Sequence, residues 1–294
     1  MHQLKILLDK KDLDVVQPLL HEHITWGWEE EDQGGHILMT IYFDQGQQVL
    51  DFKAQALSLR PNLKLLEENV PAQDWKTSWQ EFFTPIDVEN RFLILPNWLH
   101  NAGQDRITLS IIPKMAFGTG HHATTYLCLQ AISRLFDQGL LTPKANFLDL
   151  GSGSGILGIA CAKLGMTGLG LDIDPVAVEN AQENIQLNQV RESFQVQEGN
   201  LSVLPPDAQY DLILGNILSS TLKHMAPDIV KHLTQQGVLI LSGILEEQAL
   251  EVSKCYQNQG LNEPLQLQHE EWSALIWTLG QTAHESHRVI VANV

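Results

Sequence analysis

Residues Asn146 to Gly158 read NFLDLGSGSGILG. An apolar run through Phe147, Leu148 and Leu150 meets three glycines at alternate positions, Gly151, Gly153 and Gly155, and then passes straight into ILGIACAKLG. Strand, glycine turn and helix in that order form a ligand-binding unit of α/β proteins. Glycine lets the backbone turn sharply and approach a ligand, and the helix N-terminus that follows favours a negative group. The spacing narrows the choice of ligand. A dinucleotide turn needs GxGxxG, but aligned on Gly151 and Gly153 the third glycine would fall on Ile156. The pattern present is D-x-GxGxG, with Asp149 two residues ahead of Gly151.

Outward from this turn, the strand candidates GLGLDI, SFQVQEG, DLILGN and VLILSGIL alternate with helical segments at Ile156–Leu164, Pro175–Asn188, Ser219–His232 and Glu246–Gln259. That alternation predicts an α/β fold with a parallel, doubly wound Rossmann-like sheet. The terminal stretches LQLQHEEWSALIWTLG and HRVIVAN read as two strands with no helix between them, hence an antiparallel edge hairpin. Ligands of such sheets bind outside the carboxyl ends of the strands. The second strand ends at Asp172, 21 positions after Gly151, where a carboxylate can accept from both ribose hydroxyls. Asp174 before Pro175 reads as a helix N-cap with proline at N1. The third strand ends in Glu198-Gly199-Asn200, suited to an adenine ring, and the fourth in Gly215-Asn216. Asparagine at a strand end is commonly a turn former, yet Asn216 faces the same crevice as Gly151 and Asp172. D-x-GxGxG with an acid at the next strand end is typical of S-adenosylmethionine (SAM) enzymes, which hold a methionine carboxylate and amine and no pyrophosphate. A SAM-dependent methyltransferase is the expected class.

The first 70 residues have a different grammar. LKILL, a helical stretch Asp12–Ile24, TWGWEEED with HILMTIYF across Gly34-Gly35, a helix Gln47–Leu59 and LKLLEENV follow one another as β-α-β-β-α-β. That order suggests a ferredoxin-like split βαβ unit. The acidic run Glu29–Asp32 suits a basic substrate, though such runs are more often solvated surface. Trp75, Trp79, Phe82 and Phe83 recur at helical spacing in a structured connector. The expected division is an N-terminal domain 1–71, a connector 72–100 and a methyltransferase domain 101–294.

Composition bounds the partners. The 294 residues are 44% hydrophobic and 18% charged, with a formal net charge of −17. Such a chain lacks the cationic surface that a phosphate backbone requires, so no nucleic acid is expected, and a basic protein partner would be steered towards it. Three separated cysteines without CxxC argue against a disulfide framework or a zinc site, and Cys128 and Cys161 read as buried thiols. No apolar run approaches the roughly 20 residues of a membrane span, and MHQLKILLDKKDLD has no signal-peptide core. A cytoplasmic monomer is the default expectation.

A second glycine-rich stretch, MAFGTGHHATT (Met115–Thr125), completes the picture. Together with DLGSGSGILGIA, LDIDPVAVENAQENIQLN, LGNIL, DWKTSWQEFF and VLILSGILEEQ, it closely resembles the ribosomal protein L-eleven methyltransferase family over nearly the whole chain. The resemblance implies a class I SAM-dependent methyltransferase domain behind a small N-terminal α+β domain that recognises large-subunit ribosomal protein L-eleven. It also implies methyl transfer to lysine ε-amines, with an N-terminal α-amine as a further acceptor. Carried over by position, its SAM contacts fall on Thr125, Gly151, Asp172 and Asn216, with Thr125 touching the cofactor as the next helix begins; threonine is itself a fair N-cap. Where the family often has Ala-Gly-Pro after GNIL, this chain has Ser219-Ser220-Thr221, near where the target amine should arrive.

Asn216 is the residue expected to carry catalysis, by accepting a hydrogen bond from the incoming amine. His121 and His122 are given structural roles, and no dedicated base is assigned. Methylation of another basic protein, of a nucleobase or of a glutamine amide is the nearest alternative. The last two often place Pro-Pro-aromatic after the asparagine, where Ile217-Leu218 stand here. An NAD-dependent oxidoreductase is disfavoured by the glycine spacing, and a non-catalytic SAM-binding module by the complete set of strand-end groups.

Overall fold

A computed structural model describes residues 2–9, 16, 19–20, 28–32, 34–43, 46–60, 63–69, 84–99, 105–112 and 122–280. The chain divides into two compact units, residues 1–83 and 84–294. The predicted aromatic helix of the connector, the stretch Met115–His121 and HRVIVAN lie outside the described residues.

In the first unit, β1 (His2–Asp9), β2 (Glu29–Asp32), β3 (His36–Phe43) and β4 (Lys64–Asn69) form a sheet in the order β2-β3-β1-β4. Every neighbouring pair is antiparallel. This is the split βαβ order that the sequence predicts. Leu4, Ile6 and Leu8 alternate inward from β1, as period two requires. They meet Val49, Phe52 and Ala56 of α1 (Gly46–Leu59), and Val16, Leu19 and Leu20 join the same core. No helix among the described residues is long and apolar enough to cross a membrane.

The second unit opens with a three-stranded sheet, β5 (Ile86–Val88), β6 (Phe92–Pro96) and β7 (Ile107–Ile111). Its larger sheet comprises β8 (Asn146–Leu150), β9 (Thr167–Asp172), β10 (Phe194–Glu198), β11 (Tyr210–Asn216), β12 (Leu233–Leu245), β13 (Leu265–His269) and β14 (Trp272–Thr278). Their order is β10-β9-β8-β11-β12-β14-β13. The first five are mutually parallel, and β14 runs antiparallel to both its neighbours. The chain starts at the centre with β8, winds out to β10, and returns to β11. The switch point therefore lies between β8 and β11, where such sheets take their ligands.

The helices are α2 (Ala123–Asp137), α3 (Ile156–Lys163), α4 (Pro175–Leu187), α5 (Ser219–Lys231) and α6 (Glu246–Gln257). Both sheet faces are buried, which is why the strands read as continuous apolar runs. Leu212 and Leu214 of β11 join one core with residues of α2, α3 and α4, while Ile213 joins another with Leu222 and Tyr256 of α5 and α6. Helix α3 is buried from Ile156 to Ala162 because it packs between the large sheet and β7.

Asn184 of α4 and Asn188, the residue capping its C-terminus, pin β7 in place. Asn188 accepts from Ser110 N–H at 3.0 Å and Asn184 from Ile112 N–H at 2.9 Å. Four residues of helix rise about 6 Å, close to the roughly 6.6 Å of two strand residues, so the two ladders keep step.

The end of the fold departs from the sequence expectation. The antiparallel hairpin turns inside LQLQHEEWSALIWTLG, at Glu270-Glu271, so that this one stretch supplies both of its strands. Glu270 takes φ 53 to make the turn. β14 thereby enters the sheet between β12 and β13, an insertion that chain order does not show.

Candidate active site

The glycine turn is tied down from its own backbone. Gly151 and Ser152 N–H groups both donate to Leu171 O, at 2.8 and 3.2 Å. Gly153 N–H donates to Asp172 Oδ2 at 2.8 Å, and Asp174 N–H to Asp172 Oδ1 at 3.0 Å. Asp172 thus braces the loop and still offers acceptor lone pairs to a ligand. Asp174 caps α4 as predicted, accepting from Val176 N–H at 2.9 Å with Pro175 in the first turn. From α4, Asn184 donates to Ser154 O at 2.8 Å, joining the loop to the asparagines that hold β7.

Under the loop lies Asp149, 1% exposed, whose Oδ2 accepts from Gly158 N–H at 3.2 Å. Burial pushes its carboxyl up to about 7, and the nearby Asp172 charge adds to the rise. The D-x-GxGxG spacing points to this residue, but its distance from solvent is visible only in the fold.

Gly151 has φ 67, and a Cβ there would lie 2.3 Å from Ile217 Cγ2. Gly243 has φ 78, and a Cβ would lie 2.4 Å from Ile217 O. Two glycines in the left-handed region therefore clamp the residue after Asn216 from both sides. Asn216 is oriented by a second contact: its Nδ2 lies 3.4 Å from Thr125 Oγ1. Its Oδ1 is buried and has no hydrogen-bond partner among the described residues.

A cavity of about 500 Å³ runs along these strand ends. Gly151, Asp172 and Asn216 all line it; Thr125 is fully buried behind Asn216 and does not. The helix begins earlier than the sequence suggests. His122, not Thr125, is the N-cap of α2; its Nδ1 accepts from Thr124 N–H at 3.3 Å. An imidazole nitrogen replaces the usual hydroxyl, and Thr125 falls within the first turn. His122 and Thr124 line the cavity instead. The same His122 Nδ1 lies 2.8 Å from Thr124 Oγ1, so the ring is engaged by the first turn of the helix it caps.

The remaining lining explains what the cavity can hold. Gly199 and Asn200 stand at the end of β10, and Ile173, 75% exposed, adds an apolar face beside Asp172. Among the described residues, the charged ones lining the cavity are Asp172 and Asp174, with no lysine or arginine. A pyrophosphate would meet only like charge there. A cationic ligand with a ribose and an aromatic base fits: hydroxyls at Asp172, ring at Ile173 and Asn200, and polar end over the Gly151 turn. Among the described residues no cluster of metal-ligating side chains occurs.

The sequence model of one family, described as ribosomal protein L11 methyltransferase (PrmA), matches residues 8–279. The chain belongs to the ribosomal protein L11 methyltransferase family. Its relative of that name from Pelobacter propionicus is 37% identical over 238 residues, covering 79% of this chain and 76% of the relative. Another, from Acinetobacter baylyi, is 32% identical over 274 residues, 90% of this chain and 86% of the relative. The crystal structure of the ribosomal protein L11 methylase from Lactobacillus delbrueckii subsp. bulgaricus superposes with a TM-score of 0.59 at 28% identity, covering 67% of this chain and 99% of the other. As a member of this family, the chain is a class I SAM-dependent methyltransferase, the class to which its sheet order and glycine turn also point.

Proposed function

We propose that this chain transfers methyl groups from SAM to amino groups of ribosomal protein L11, lysine ε-amines foremost and the N-terminal α-amine as a further acceptor. The observation that carries the acceptor class is Asn216 Oδ1, a buried acceptor without a partner among the described residues, at the switch point of the sheet. An amine has N–H to give it; an anionic or purely accepting nucleophile has none.

SAM, when bound, supplies an electrophilic methyl group and leaves as S-adenosylhomocysteine, the sulfur keeping the bonding pair. Gly151, Asp172 and Asn216 hold it, with Thr125 acting from behind Asn216. A lysine ε-amine has an unperturbed pKa near 10.4 and arrives charged. The apolar residues around Asn216 disfavour that charge and lower the pKa, so the proton passes to water. Asn216 then accepts one remaining N–H and turns the lone pair towards the methyl carbon. With SAM bound, the C–N bond gained would be balanced by the C–S bond lost. Positioning supplies much of the rate, and no side chain is assigned as a base.

The N-terminal domain, residues 1–71, presents the substrate, the connector 72–100 joins it to the catalytic domain 101–294, and the net charge of −17 favours encounter with a basic protein. The protein works as a cytoplasmic monomer without contacting nucleic acid.

The test is mass spectrometry of unmethylated ribosomal protein L11 after incubation with the chain and SAM, alongside Asn216→Ala. Mass gains in single-methyl steps on lysine or the N-terminus, lost in the variant, are expected. Intact SAM binding without any gain would send the search to other basic proteins.

A further inference from the structure

The cavity extends past the strands assigned to the cofactor. In the proposed reading the residues at the ends of β10, β9 and β8 would hold SAM, and Asn216 closes that stretch on β11. Beyond it, on the β12 and β14 side, the lining continues with Gly243, Leu218, His122 and Trp272. The carboxylates Asp172 and Asp174 stand at the opposite end, so among the described residues no charged side chain lines this part. Leu218 is 72% exposed, an apolar residue at the rim where solvent enters.

Trp272 is held firmly. It is the first residue of β14, paired with Leu245 on one side and His269 on the other. The His122 ring meets it edge-on, with centroids 4.8 Å apart and planes at 65°. Because His122 is also the N-cap of α2, the indole is fixed relative to Thr125 and hence to Asn216.

We propose that Trp272 is the aromatic wall of the acceptor seat and recognises the alkylammonium end of the target side chain by cation–π attraction. This rests on the amine-acceptor reading above and names the group that receives the amine. The physical case is the match between the seat and what must pass through it. The side chain enters as an ammonium and leaves as a methylated ammonium, so a cation must be held at both ends of the reaction. A carboxylate would hold it but would also raise its pKa and keep the lone pair protonated. An aromatic face attracts the cation without accepting a proton. The uncharged Asn216 Oδ1 shares that property.

The probe is butyltrimethylammonium, a permanently charged stand-in for the methylated end of a lysine side chain. Its binding to the chain saturated with S-adenosylhomocysteine is measured by calorimetry for wild type, Trp272→Phe and Trp272→Leu. Phenylalanine keeps a π face, whereas leucine keeps only apolar bulk. Wild type and Trp272→Phe are expected to bind the probe, with Trp272→Leu weaker by roughly tenfold or more. S-adenosylhomocysteine affinity should stay within about twofold in all three, which also shows that each is folded. Equal probe affinity in wild type and Trp272→Leu, equal losses in both variants, or no binding to wild type would each overturn the proposal. Methyl transfer to ribosomal protein L11 by wild type is scored separately. If it fails while aromatic-dependent probe binding holds, the substrate assignment falls and the seat stands.

Discussion

Asn216 Nδ2 reaches Thr125 Oγ1 at 3.4 Å across 91 positions of sequence. The contact crosses from the end of β11 to the first turn of α2 and leaves Asn216 Oδ1 as the amide's free acceptor. On the proposed reading of the site, Thr125 would act on the reaction through Asn216. Thr125→Val keeps shape and removes the hydroxyl. A net hydrogen bond of this kind contributes about 0.5–1.5 kcal/mol, so kcat should fall roughly two- to tenfold. SAM affinity should hardly move. Steady-state kinetics with calorimetric SAM titration separate the two; a large loss of SAM affinity at unchanged kcat would mean that Thr125 touches the cofactor directly.

Ile217 predicts a compensating pair. Gly151→Ala combines a left-handed φ with a Cβ 2.3 Å from Ile217 Cγ2. The backbone term costs about 1–2 kcal/mol and the overpacking about 1–3 kcal/mol. Ile217→Ala removes the clash but not the backbone cost. In urea titrations Gly151→Ala/Ile217→Ala should be more stable than the sum of the single changes predicts, by roughly 1–3 kcal/mol. Strict additivity would show that the two residues do not meet in solution.

Much of this site can be read from the sequence because chain order carries it. Asp172 and Asn216 end strands, Gly151 and Asn200 follow within two residues of one, and parallel strands joined by helices bring all such ends to one rim. Residues that arrive by other routes are not legible in this way. Trp272 reaches the cavity only because β14 inserts between β12 and β13, and a strand's place in a sheet is not written in its own period. The same applies to Asn184, whose ladder with β7 depends on packing between two elements more than 70 residues apart. The histidine cap of α2 was hidden for a chemical reason, since imidazole is a rare substitute for the usual capping hydroxyl or carboxylate. Asp149 lay within the quoted motif, but only its burial by α3 and the loop reveals its altered acidity.

Asp172 braces the glycine loop and, on the proposed reading, would also hold the ligand. Its two oxygens accept from Gly153 and Asp174 N–H groups at 2.8 and 3.0 Å. Asp172→Asn keeps one acceptor oxygen and turns an NH₂ towards the other donor. Hydrogen bonds to a charged group contribute about 1.5–3 kcal/mol, so S-adenosylhomocysteine should bind roughly 10- to 100-fold more weakly. Calorimetry gives the affinity, and thermal unfolding without ligand reports any change in the loop itself. Unchanged affinity with a lower Tm would confine Asp172 to bracing the turn.

Asp149 predicts a pH dependence of stability with an unusual sign. Its carboxyl stands at about 7 in the folded chain, raised by burial from 3.8. Below about pH 4 both folded and unfolded forms carry the proton, and the group adds no penalty. Between about pH 4 and 7 the unfolded chain has lost the proton while the folded chain keeps it, so stability falls as pH rises. Above about pH 7 the loss is complete and on the order of 4 kcal/mol. Paired surface carboxylates slope the other way, so the comparison must be with Asp149→Asn, which keeps an acceptor for the Gly158 N–H and cannot ionise. The difference in unfolding free energy, variant minus wild type, should rise across that window and level off above it. Urea titrations at half-unit pH intervals measure it. A flat difference would mean that Asp149 is ionised in the folded protein throughout, with its charge compensated from the loop above.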